Sequence, residues 1–237
     1  MKKNLDLIKN FSKIGNNFNR YGLISKKAYE SIKDPEDGQH ISELGDLTNL
    51  KSLKAIKEKI QLTEEGKLIL DKKFRVNEET LDFKNLKNYN KNSLGYKYFE
   101  YMSKNNFSPN KRPISKYVPD IELSYISQRY KETHDFYHVL LNMESTLIDE
   151  IAVKWFEAEH LKLSSSSLGG LFGGLNLSIK ENYILYSKIL PGIIKIARNS
   201  KFLLGIYFEN RLHQDINDLR KELNIDLVLK MRKKVLL

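Results

Sequence analysis

The chain has 237 residues, a formal net charge of +10 and no cysteine. Its length can bury one substantial core, and its composition, 41% hydrophobic and 30% charged, excludes a chain that is disordered throughout. Without cysteine there is no disulfide, no thiolate ligand and no cysteine nucleophile, so a metal would need His, Asp and Glu ligands. The positive charge favours an anionic partner such as nucleic acid or a lipid surface, although a lysine-rich solvated surface explains it equally well.

The N-terminal segment, residues 1–15, is basic: four lysines stand against a single acid, Asp6. Apolar residues recur near one helical face of this segment. The pattern predicts either a mitochondrial targeting segment or a basic first helix, and it favours neither. Residues 16–237 contain no obvious linker and no internal repeat, which predicts a single domain.

Helical periodicity dominates the chain and strand alternation is weak, which predicts an all-α, bundle-like fold. Residues 31–45 and 105–119 are rich in turn formers and are expected to be loops. No segment has the roughly 20 mostly apolar residues of a membrane span, so we expect any membrane contact to be peripheral. In chain order, helices are predicted within 1–33, over 47–60, up to about residue 73, and over 96–102, 121–141, 146–161, 181–196, 200–215 and 216–223.

Small residues crowd the stretch 164–174, which holds four serines and four glycines. It is not a phosphate-binding loop, because the Gly-Lys-Ser/Thr ending and a preceding strand are both missing. We expect the small residues to allow close helix approach, or to form an apolar groove, with plain core packing as the alternative. The residues that would line the groove are Leu168, Leu171, Phe172 and Leu175. The signature of a nucleic-acid-binding module is absent, so nucleic acid is not an expected partner.

A candidate metal site begins with His134 and His138, which are four residues apart and therefore project from one face of a helix. Asp135 follows the first histidine, and Glu150 lies on the next predicted helix. If the two helices pack antiparallel, Glu150 returns a carboxylate to the same ion. This pattern predicts a site between adjacent helices for zinc, ferrous iron or another divalent metal, with room for water or substrate. The alternative is an accidental histidine pair, and His160 is expected at the surface or as a helix C-cap.

The run 125–140, Tyr-Ile-Ser-Gln-Arg-Tyr-Lys-Glu-Thr-His-Asp-Phe-Tyr-His-Val-Leu, resembles the central signature of the ubiquinone (coenzyme Q) biosynthesis protein family Coq-four. That family's pattern is His-Asp-x-x-His, eleven residues, then Glu, which this chain matches without a gap. Further similarities are Lys-Trp-Phe-Glu at 154–157, Asn-Phe-Ser-Pro at 106–109 and Arg-Asn-Ser-Lys-Phe-Leu-Leu at 198–204. The turn 142–145 departs from the pattern, since relatives typically carry Gly and Pro there.

The resemblance implies an all-helical fold and a zinc or similar ion held by His134, Asp135, His138 and Glu150. It also implies peripheral association with the matrix side of the mitochondrial inner membrane, in a complex with other ubiquinone-biosynthesis proteins. The implied reaction removes the carboxyl group from a polyprenylated hydroxybenzoate ring. Some accounts instead treat the family as a scaffold that organises this complex.

Three functions follow as hypotheses. The first is a metal-dependent decarboxylase, in which Asp135 supplies the proton if it is not a ligand and Arg129 pairs with a substrate carboxylate or is merely structural. The second is a lipid-binding scaffold held on an anionic membrane by basic residues. The third, a metalloprotease, is disfavoured because such enzymes place Glu directly after the first histidine, where this chain has Asp135.

Overall fold

The computed structural model describes residues 19–31, 33, 38–226 and 228. Over these residues the fold is all-α, as predicted: it contains no β-strand, and one isolated bridge joins Ser93 to Asp215. None of the described helices is both long enough and apolar enough to cross a membrane. The predicted basic segment 1–15 lies outside the described residues.

Eleven α-helices follow one another in the described residues, and a π-helical turn, Leu185–Ile189, joins the ninth to the tenth near Pro191. In chain order the helices are α1 (residues 19–31), α2 (Gly38–Thr48), α3 (Leu50–Ile60), α4 (Glu64–Lys72), α5 (Leu94–Lys104), α6 (Ile121–Leu141), α7 (Leu147–Leu161), α8 (Ser164–Gly173), α9 (Ile179–Ile184), α10 (Leu190–Asn199) and α11 (Ile216–Glu222).

Two of the predicted elements are wrong. The loop expected over 31–45 is largely occupied by α2, whose Leu44 and Leu47 are buried at helical spacing. The helix expected over 200–215 is irregular, with 3₁₀ turns at Leu203–Gly205 and Phe208–Asn210. Distant side chains bind the backbone of this second segment: Tyr207 N donates to Glu65 (2.8 Å), and Arg129 donates to the Ile206 carbonyl (3.0 Å).

The central helix α6 spans the predicted residues because both of its ends are capped. The Asp120 carboxylate accepts hydrogen bonds from the N–H groups of Glu122 and Leu123 at 3.0 and 2.9 Å. At the other end Asn142 adopts the left-handed conformation (φ 52°), which closes the last turn. Arg220 of α11 donates to two of the last carbonyls of the helix, those of Val139 and Leu140.

Most residues of α6 are buried, including all of its charged side chains except Glu122, which is half-exposed and pairs with Lys57. A buried charge is costly unless it is paired. Each charge on α6 therefore meets an opposite charge from a different part of the chain. The ion pairs are Arg129 with Glu209, Lys131 with Asp46, Glu132 with Arg75 and Asp135 with Arg112.

His160, expected at the surface or as a helix cap, is buried near the end of α7, so that expectation is wrong. Its Nδ1 lies 2.9 Å from the Ala197 carbonyl, and its Nε2 accepts a hydrogen bond from Leu203 N at 3.0 Å. These two contacts require the neutral ring with its proton on Nδ1. The ring also stacks against Phe156 and Phe202, and burial lowers its pKa to about 4.

We expect this histidine to make the protein less stable as the pH falls from 6.5 to about 4. In that pH window His160 becomes protonated in the unfolded chain but stays neutral in the folded protein. This difference lowers the free energy of unfolding by up to about 3 kcal/mol. Urea denaturation of wild type and His160→Gln across this window measures the effect, with wild type losing more stability than the variant. Parallel stability profiles would contradict the assignment.

Candidate metal centre

Three side chains converge between α6 and α7. His134 and His138 leave one face of α6, and Glu150 comes from the first turn of α7 after a connection that begins at Asn142 and ends with Thr146 as the N-cap. The two Nε2 atoms are 3.2 Å apart; Glu150 lies 3.5 Å from His134 Nε2 and 2.9 Å from His138 Nε2. One potential ligand atom from each residue lies within 4.8 Å of the other two. We call these residues the metal trio.

Both imidazoles are oriented through their other nitrogen. His138 Nδ1 lies 3.1 Å from the Glu144 carbonyl, which can only accept, so this nitrogen carries a proton. His134 Nδ1 lies 2.7 Å from Glu157 Oε1. Burial raises the pKa of Glu157, but Lys154 and His134 outweigh it and bring the pKa to about 2, so Glu157 is an ionised acceptor. When both rings are neutral, this orientation turns both Nε2 lone pairs towards Glu150.

This arrangement fits a metal cation. The two imidazole Nε2 lone pairs and the Glu150 carboxylate meet within a few ångströms. These acceptors repel one another unless a positive charge lies among them. In the described arrangement a proton serves this role: burial and Lys154 lower the pKa of His134, but Glu150 and Glu157 raise it more. Burial likewise opposes the ionisation of Glu150, and the two histidines nevertheless hold its pKa well below the usual range.

Glu157 forms a second, fully buried layer behind His134. Besides the imidazole, its carboxylate accepts hydrogen bonds from Tyr130 (2.7 Å), Lys154 (3.0 Å) and Ser166 (3.0 Å). A carboxylate behind a histidine ligand fixes the tautomer and the orientation of the ring. The sequence analysis gave Glu157 no such role. The signal was its spacing of seven residues from Glu150, which puts both acids on one face of α7.

Asp135 does not join the metal trio in this arrangement. Its Oδ2 accepts hydrogen bonds from Arg112, from Nε at 3.1 Å and from Nη2. The structure therefore brings together three of the four predicted ligands and places the fourth beside an arginine. Arg129, the proposed partner for a substrate carboxylate, is fully buried against Glu209.

The Gly/Ser segment is helix α8, which packs directly on α7. A Cβ on Gly170 would lie 3.0 Å from the Trp155 indole nitrogen, and one on Gly173 would lie 2.7 Å from Ile151. The glycines thus permit the close helix approach that was predicted. The other side of α8 and α9 is an apolar face, defined by residues at 38–92% exposure: Leu168, Leu171, Phe172, Leu175, Ile179, Tyr183 and Tyr186.

The family model of "Coenzyme Q (ubiquinone) biosynthesis protein Coq4" matches residues 12–228. "Ubiquinone biosynthesis protein COQ4 homolog 2, mitochondrial" of Paramecium tetraurelia is 40% identical over 79% of this chain and 90% of its own length. The COQ4 homolog of Bombyx mori is 38% identical over 91% of this chain and 83% of its own, and the human one 34% over 86% and 77%.

A crystal structure of a putative ubiquinone biosynthesis protein from Nostoc punctiforme has the same fold. It covers 89% of this chain and 99% of its own with a TM-score of 0.68, at 16% sequence identity. The family match extends over most of the chain, and these relatives match 79–91% of it. The chain therefore belongs to the coenzyme Q (ubiquinone) biosynthesis protein family Coq4, the Coq-four family that its motifs resemble.

Proposed function

We propose that the chain is a metal-dependent decarboxylase, a carbon–carbon lyase acting on 4-hydroxy-3-methoxy-5-polyprenylbenzoate or a close analogue in ubiquinone biosynthesis. The observation that carries the proposal is the metal trio, in which two oriented imidazoles and one carboxylate converge on a single point. The side chain of Glu150 is 38% exposed, whereas both histidines are buried. The site is thus closed towards the core and open on the side of Glu150.

The donor set suits zinc, and ferrous iron or another divalent ion would also fit two imidazoles and a carboxylate. His134, His138 and Glu150 would hold the ion, with Asp135 as the fourth candidate. When bound, the ion supplies Lewis acidity for the phenol or carboxyl oxygen of the substrate. An open position for substrate distinguishes this set from a closed structural site, which fills all four positions with protein.

In the proposed reaction the bond between the ring and its carboxyl carbon breaks, carbon dioxide leaves, and a proton takes its place on the ring. The phenol oxygen pushes electron density to the ring carbon that accepts this proton. Asp135 is the candidate donor if it is not a ligand. Because Arg112 binds its Oδ2, the proton to be transferred would be carried on Oδ1.

The first test measures metal content and turnover together. We expect purified wild type to retain a divalent metal and to release carbon dioxide from a short-chain polyprenyl hydroxybenzoate, and Glu150→Ala to lose both. The matched control is Glu159→Ala, a neighbouring acid on α7 that pairs with Arg198 instead. Running the assay with and without oxygen separates plain from oxidative loss of carbon dioxide. Full turnover by a metal-free variant would contradict the proposal.

The second test concerns the layer behind the ligands. Glu157→Gln removes the charge that orients His134, and we expect metal affinity to fall about 10- to 100-fold. Competition with a chromogenic chelator measures the affinity, with Glu159→Gln as the control and thermal denaturation to confirm folding. Unchanged affinity in a folded variant would show that His134 does not depend on Glu157.

A second candidate function is a lipid-binding scaffold that organises the ubiquinone-synthesis complex. The observation in its favour is the apolar face of α8 and α9, where Phe172 is 51% exposed and Ile179 is 92% exposed. Lys180 and Lys188 are exposed on the same stretch. Apolar and aromatic residues interleaved with lysines are typical of a surface that lies in an anionic membrane interface.

We place the protein peripherally on the matrix side of the mitochondrial inner membrane, next to other ubiquinone-biosynthesis proteins. The relatives from Bombyx mori and human are named mitochondrial, which supports this location. The polyprenyl tail of the proposed substrate would partition into the bilayer, so docking the apolar face there would bring the protein to its substrate.

The membrane proposal predicts that Leu171→Ser combined with Phe172→Ser weakens sedimentation with anionic phosphatidylcholine/cardiolipin vesicles without changing metal content. The matched control is Leu62→Ser, which removes an equally apolar residue at 81% exposure after α3. Reversing the charge of Lys180 and Lys188 should weaken binding further and reduce its dependence on salt. Salt-independent binding by wild type would contradict the electrostatic contribution.

A further inference from the structure

Arg129, the arginine that the sequence offered for a substrate carboxylate, cannot reach a ligand. Its guanidinium binds both oxygens of Glu209, at 2.9 and 3.1 Å, and the Ile206 carbonyl at 3.0 Å. The side chain is only 1% exposed. These contacts hold the irregular segment 200–215 against α6, so Arg129 serves the fold.

Arg112 is placed differently. It follows the 3₁₀ turn Pro109–Lys111, and its Nε and Nη2 both contact one oxygen, Oδ2 of Asp135. Its side chain is 28% exposed, whereas that of Asp135 is 2% exposed. A guanidinium carries five N–H donors in a rigid fork. Asp135 holds the edge of this fork formed by Nε and Nη2, and the other donors are not used by Asp135.

Arg112 is connected to the metal trio through Asp135, the residue that follows His134 in α6. Glu150 and Asp135 are among the charges that strengthen its protonated form. Tyr101 stacks on His138 with ring centroids 5.3 Å apart. Burial first and then the charges of Asp135 and Glu150 raise the pKa of Tyr101, while Arg112 opposes them.

One buried polar group, the Tyr98 phenol, has hydrogen-bonding capacity that the described residues do not use. The Tyr98 hydroxyl is buried and has no hydrogen-bond partner among the described residues. Asp135 and Arg112 are the two charges that affect it most. A buried hydroxyl without a partner is costly, so this phenol is a polar group that a hydrogen-bonding ligand would stabilise.

We propose that Arg112 binds the carboxylate of an aromatic acid substrate beside the metal trio, with Asp135 holding the guanidinium in position. A planar fork matches a carboxylate with two parallel hydrogen bonds, which lysine cannot reproduce. This role rests on the proposed decarboxylase function, since it assigns the group that recognises the carboxyl about to leave. It also gives Asp135 a positioning role beside its possible role as a ligand.

The test compares two probes, 4-hydroxybenzoate carrying a geranyl chain and the matching carboxamide. Binding to the metal-loaded protein is measured by isothermal titration, and metal content is quantified in each sample. The variant is Arg112→Lys. The matched control is Arg75→Lys, because Arg75 forms a comparable ion pair with Glu132 of the same helix, and its side chain is 49% exposed.

We expect wild type and Arg75→Lys to prefer the acid over the amide by about tenfold or more, the worth of a charged hydrogen-bonded pair. Arg112→Lys should bind both probes almost equally while keeping its metal. An unchanged preference in Arg112→Lys, or equal affinities in wild type, would overturn the assignment.

If Arg112→Lys does not fold, binding of the acid and the carboxamide is compared in metal-free wild type instead. A preference that survives metal removal supports Arg112 as the receptor, and one that vanishes with the metal overturns it. Carbon dioxide release by wild type is scored separately. If the preference for the acid depends on Arg112 but wild type shows no turnover, the decarboxylase proposal is wrong and the carboxylate site stands. If wild type turns over and Arg112→Lys keeps the preference for the acid, only the role assigned to Arg112 is wrong.

Discussion

A helix buried on almost every side and rich in charge is the constraint on which this fold depends. Such a helix cannot send its charged residues to water, so each must meet an opposite charge inside the protein. In α6 the partners come from α2, from the loops at residues 75 and 112, and from the segment near Glu209. The ion pairs therefore fix the positions at which separate segments contact the central helix.

The candidate metal centre arises from the same constraint. His134 meets both Glu150 and Glu157 of α7, and Glu157 in turn neutralises the buried Lys154. Three acceptors then converge, and Lys154 alone does not balance the charges of both Glu150 and Glu157, so a proton or a divalent ion is required among them. The site is thus the place where the pairing along α6 is left incomplete.

How much the sequence reveals depends on whether the determinants are local. The bounds of α6 and α7 are predictable because their caps, Asp120 and Thr146, and their periodicity lie within a few residues of each helix. The metal trio is predictable because four-residue spacing and one short connection bring it together. The membership of the Coq4 family follows from the same central motif.

What the sequence does not reveal is set by distant partners. The residues near His160 do not indicate that its ring will bind both Ala197 and Leu203. The sequence of 200–215 likewise does not indicate that its backbone will bind distant side chains instead of forming a helix. The pairing of Arg112 with Asp135 likewise joins residues 23 positions apart across an irregular loop. These features become visible only when the packing is known.

The contact between α7 and α8 has a mechanical consequence. At Gly170 and Gly173 no side chain separates α8 from Trp155 and Ile151. Since a rigid contact without a flexible layer transmits displacement, a push on the outer side of α8 reaches the helix that carries Glu150 almost undamped. The outward surface of α8 and the metal trio therefore behave as one stiff body, so a load on that surface would displace Glu150.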